Sequence, residues 1–101
     1  GMARLQATPE LIVLESADIQ LLVHRIPPPF AEGIVITSPP QRREDTALKF
    51  FFSVPSLAAA RLAARALGGE VFAENWQGPG FTVCNGMDPE GNVFQVREFS
   101  A

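Results

Sequence analysis

Apolar residues along this chain come in short runs of strand length, with one helical exception. Residues 11–14, Leu-Ile-Val-Leu, form a continuous apolar run with β-branched side chains and predict a strand. A turn at Ser16-Ala17-Asp18 separates it from residues 19–25, where Ile19, Leu21 and Val23 alternate onto one face. Together the two predict a hairpin. Residues 3–9 read as a lead-in that ends at Pro9. Pro27-Pro28-Pro29 stops the hairpin, because proline cannot donate to a ladder. Residues 33–37 suit an edge strand or an arm. Residues 38–46, with Pro39-Pro40 and Arg42-Arg43-Glu44-Asp45, read as a solvated linker of compensating charges.

The second half is more regular. Residues 47–54 predict a strong strand that carries Phe50-Phe51-Phe52 in a row, so both of its faces need cover. Ser56 is placed to cap a helix over residues 57–67, with Leu57, Ala60, Ala64 and Leu67 as its apolar stripe. Gly68-Gly69 ends it. Residues 70–74 predict a strand, 75–80 a loop and 81–85 another strand. Asp88-Pro89-Glu90-Gly91-Asn92 is turn chemistry, and residues 93–98 alternate as a last strand. The order β-β-(β), linker, β-α-β-β-β predicts an α+β fold: one main helix on one face of a curved, mostly antiparallel sheet.

The 101 residues suffice for one domain with a modest core. Hydrophobic content of 47% against 19% charged marks a globular chain with an apolar surplus suited to burial between subunits. A net charge of −3 argues against nucleic acid or an anionic membrane as partner. No apolar run has the length of a transmembrane span, and no stretch reads as a signal peptide. The single cysteine, Cys84, has no internal partner, so a reducing, cytoplasmic location is expected.

From residue 47 onward the chain resembles the second half of a vicinal oxygen chelate protein, of the glyoxalase/bleomycin-resistance/dioxygenase superfamily. The likeness is carried by Leu48-Lys49-Phe50-Phe51-Phe52-Ser53-Val54, by the Ala-rich helix ending in Leu67-Gly68-Gly69, and by Asp88-Pro89-Glu90-Gly91-Asn92-Val93-Phe94-Gln95. Glu15 to His24 resembles the closing strands of the first half. Such proteins build a domain from two βαβββ modules. The resemblance implies a single glyoxalase-like domain over residues 1–101, with a partial first module and linker in 10–46 and a complete second module in 47–101. The first module's opening strand and helix have no counterpart, since too few residues precede Leu11 for both. A missing strand leaves unpaired edge groups and uncovered apolar surface, so a homodimer that pairs across the gap is expected.

Metal-binding members take one ligand from the first strand of each module and one from the last. Here the first opening strand is missing, and the closing position of module one falls near Leu21 or Leu22, which cannot ligate. The opening position of module two holds Lys49, whose ammonium repels a divalent cation. The last strand holds Gln95, whose neutral amide is a poor ligand beside carboxylate or imidazole. The resemblance thus implies a metal-free member without a cofactor.

By alternation, Lys49, Phe51 and Ser53 face the concave side if Leu48, Phe50 and Phe52 pack under the helix; Val93, Gln95 and Arg97 share one face. The candidate ligand-binding residues are Lys49, Phe51, Gln95 and Arg97, with Trp76 on the loop 75–80, facing a small acidic or partly apolar molecule. The competing reading is a solvated sheet face, with Trp76 capping the core or a dimer interface. No residue is assigned as catalytic. His24, the sole histidine, reads as a strand-end surface residue, and Cys84 as a buried small apolar one. Arg61 and Arg65 read as a polar helix face without function. Gly78-Pro79-Gly80 lacks a phosphate-loop pattern and precedes a strand, which excludes a nucleotide loop. The function expected is a metal-independent glyoxalase/bleomycin-resistance-like protein, a binder more than an enzyme, taking a small molecule in a cleft completed by dimerisation. A metal-dependent lyase or dioxygenase of the superfamily and a non-catalytic assembly module are the alternatives.

Overall fold

The computed structural model describes residues 1–100, which form two compact units, Gly1–Val35 and the chain from Ile36 onward. The first unit is a three-stranded antiparallel meander: β1 (Ala3–Ala7), β2 (Leu11–Glu15) and β3 (Gln20–His24), in that order. Residues 3–9 are therefore a strand and a turn, not a lead-in. Ala3, Leu5 and Ala7 alternate with Arg4 and Gln6, the period-two signal of a strand. Thr8 makes the turn: its Oγ1 accepts from the Leu11 amide at 3.1 Å, and its own N–H donates to the Leu11 carbonyl at 2.8 Å. The prolines do end β3, but they also start something. Pro28–Ala31 is a single helical turn, α1, with proline at its first positions, where a missing N–H costs nothing. Residues 33–37 form no strand.

The second unit is a four-stranded mixed sheet with one helix on it. Its elements are β4 (Phe51–Ser53), α2 (Leu57–Ala66), β5 (Glu70–Gly78), β6 (Phe81–Met87) and β7 (Val93–Phe99), with sheet order β4-β7-β6-β5. β4 runs parallel to β7, and the other neighbours are antiparallel. The chain is thus α+β with one main helix, as the pattern of positions predicts.

α2 begins where Ser56 Oγ accepts from the Ala59 amide at 3.1 Å. Glu98 Oε2, from β7, accepts from the Leu57 amide at 3.2 Å, so two of the four open N–H groups of the first turn are satisfied. The helix buries Leu57 against Val71, Cys84 and Val96, with Val54, Ala64 and Phe94 packed around them. Leu67, expected in the apolar stripe, is exposed, because the helix has already ended at Ala66.

Three further expectations change. The strand foreseen over residues 47–54 is regular only at Phe51–Ser53, so Lys49 precedes it. Its phenylalanines are not buried: among the described residues Phe50, Phe51 and Phe52 stay 51%, 48% and 42% exposed. Residues 75–78 are strand, not loop, and the turn is confined to Pro79-Gly80. Finally, the charged linker is docked. The Arg43 amide donates to the Gly91 carbonyl at 2.8 Å, and its guanidinium donates to Asn92 Oδ1. Gly91 sits at φ 84°, and a Cβ there would lie 1.9 Å from the Gln41 carbonyl oxygen. Only glycine lets the linker lie this close to the turn.

Candidate functional site

The helix covers one face of the four-stranded sheet, and strand alternation assigns the side chains of the other. In register across the sheet, Ser53 stands beside Arg97, Arg97 beside Val83 and Val83 beside Trp76. The neighbouring row runs from Phe51 to Gln95 to Asn85. Phe81 pairs with Phe99 at one end. All of these occupy the open face, because paired residues of adjacent strands point the same way.

Arg97 is the centre of this face. Its Nε donates to Ser53 Oγ at 2.9 Å. Its guanidinium carbon lies 4.8 Å from the ring centre of Phe51, 5.1 Å from Phe81 and 4.5 Å from Phe99. The rings brace one another edge to face, at 6.2 Å for Phe51 with Phe81 and 6.0 Å for Phe81 with Phe99. Ring quadrupoles attract the cation, and ring surface displaces the water that would otherwise solvate it. Among the described residues Arg97 forms no ion pair. The Nε bond leaves the Nη edge of the guanidinium, a fork matched to a carboxylate, without a protein acceptor among the described residues.

Phe81 reaches Arg97 because of Gly78, its cross-strand partner. A Cβ on Gly78 would lie 2.2 Å from the Phe81 ring, so the ring lies over the glycine where a side chain would stand. Beside the arginine, in the next row, Asn85 Oδ1 is buried without a hydrogen-bond partner. A buried unpaired acceptor is costly, and in folded proteins such groups are few.

The sequence-predicted residues separate accordingly. Phe51, Gln95 and Arg97 share the open face. Trp76 is on the same face, 40% exposed, at the far end of the Arg97 row, and it stands on β5 instead of a loop. Lys49 is exposed, ahead of β4, with no side-chain hydrogen bond among the described residues. Ser53, Phe81, Phe99 and Asn85 complete the cluster. Alternation from Phe81 through Asn85 was a signal for the last of these.

Arg61, given no role from its spacing, is bound. Its Nε donates to the Val71 carbonyl at 3.2 Å, and Nη2 donates to the Phe72 carbonyl at 3.0 Å and meets Cys84 Sγ at 3.2 Å. Those carbonyls lie at the irregularity in β5 between Val71 and Asn75, on the sheet's edge strand. Cys84 is fully buried. In the first unit, His24 stands exposed at the end of β3 on a shallow pocket with Glu10, Arg25 and prolines 27 and 28, its Nδ1 2.9 Å from the Arg25 carbonyl. Among the described residues, no three or more His, Cys, Asp or Glu gather as a metal site, and no helix is long and apolar enough to cross a membrane.

No known family profile matches the chain. No curated protein matches it either. Among solved structures, the crystal structure of SMU.1112c is similar with a TM-score of 0.58 at 21% identity, covering 97% of this chain and 80% of that one. At that identity the likeness is one of fold.

Proposed function

We propose that the chain is a metal-independent member of the vicinal oxygen chelate superfamily that binds a small, partly apolar acid on the open face of its four-stranded sheet, with a second copy completing the cleft. The order β-α-β-β-β, with β4 parallel to the last strand, supports the family. The observation that carries the function is Arg97: a guanidinium braced by three phenylalanine rings and Ser53, with no acidic partner among the described residues. A cation so held is oriented before any ligand arrives, which lowers the ordering cost of binding. The rings beside it supply the apolar contact. The positions where the superfamily places metal ligands hold Lys49, Gln95 and Leu21 or Leu22, a donor set unsuited to a divalent cation.

The test is calorimetric titration of the chain with benzoate and with benzamide, its uncharged counterpart. Benzoate should bind about tenfold more tightly than benzamide, the scale of one charge-assisted contact. Arg97→Gln should remove the difference. Equal affinities, or a preference that survives Arg97→Gln, would overturn the reading.

A further inference from the structure

The open face holds a second polar group that the carboxylate does not use. Asn85 Oδ1 is buried and unpaired, one strand over from Arg97, and it stands beside Gln95 in the register. Arg97 pairs with Val83, two positions along β6, so Asn85 and Arg97 are diagonal neighbours about 7–8 Å apart at the backbone. Its neighbours on this face are Gln95, across on β7, and the buried Val83, two positions along β6; Phe51 stands beyond Gln95 in the same row. An amide oxygen accepts hydrogen bonds and cannot donate. A donor, an O–H or an N–H, would satisfy it.

The geometry points to a more specific ligand class: a planar aromatic acid that carries a hydroxyl or amino group on its ring. Its carboxylate takes the Nη edge of Arg97, its ring lies among the phenylalanines, and its donor reaches Asn85 Oδ1. This rests on the binding reading above and adds the donor to it. A site built to accept a donor discriminates strongly against the analogue that lacks one, because the acceptor is then sealed in unpaired.

The experiment follows backbone and side-chain chemical shifts at Phe51, Asn85 and Arg97 while benzoate, the three monohydroxybenzoates and their methoxy counterparts are titrated into the full chain. At least one hydroxybenzoate should bind about tenfold more tightly than benzoate, and its methoxy counterpart, which cannot donate, should lose that gain. Asn85→Leu should erase the gain, so that hydroxybenzoate and benzoate bind that variant alike. Asn85→Asp checks the same atom without removing polarity: the new carboxylate should repel the ligand's own and weaken every benzoate. If benzoate shifts these residues but no hydroxyl improves binding, or the gain survives Asn85→Leu, the donor inference is wrong and the binding reading stands. If no benzoate shifts them, both fail together.

Discussion

At the residue scale, the site depends on a side chain that is absent. Gly78 leaves room for the Phe81 ring, and that ring is one of the three that hold Arg97. Gly78→Ala must therefore push Phe81 aside. We expect a stability loss of about 1–3 kcal/mol, as for an overpacked position, in urea unfolding. The same variant should also lose several-fold in benzoate affinity, since the arginine loses a wall. Phe51, Gln95 and Arg97 were legible in the sequence because period-two alternation needs only the strand and its direction. Phe81 and Gly78 were not, because Gly78-Pro79-Gly80 looks like loop material when the turn in fact occupies only Pro79 and Gly80. Arg61 was missed for another reason. Its partners are carbonyls at an irregularity in β5, and such a slip is a property of two strands together.

At the element scale, β4 is the point of weakness. It has three residues, pairs on one side only, and carries exposed phenylalanines on and before it, with Leu48 more exposed still. A short edge strand so rich in aromatic surface calls for cover from outside the sheet. If a second copy supplies it, sedimentation should show a dimer at micromolar concentration. The double variant Leu48→Lys, Phe50→Lys should shift that to monomer while the circular dichroism spectrum is retained, since neither side chain contributes to the buried cluster under α2. A wild-type monomer would remove the second copy from the cleft. The strand was overestimated from sequence because hydrophobicity alone cannot distinguish a chain segment paired in a ladder from one left apolar beside it. β1 was underestimated for the converse reason: its alternation is clear, but Leu5 is its only large apolar residue, and what defines the strand is the Thr8 turn.

At the scale of the molecule, the α+β class and the βαβββ order follow from features that are local: a capped Ala-Leu helix, a Gly stop and an Asp-Pro-Glu-Gly-Asn turn. What was not local was the docking of residues 41–43 on that turn, which depends on a glycine fifty positions away in sequence from its neighbour. The strand order carries a consequence for synthesis. β7 is made after the other three strands of its sheet, yet it lies between β4 and β6 and lends Glu98 to the start of α2. While the ribosome is still adding it, β4 has no strand to pair with and three phenylalanines in a row stay in water. A chain stopped before residue 93 should keep β5 and β6 as at most a hairpin, which is marginal alone, and should sediment as aggregate. The unit cannot be assembled in the order in which it is translated, so its folding waits until β7 has emerged.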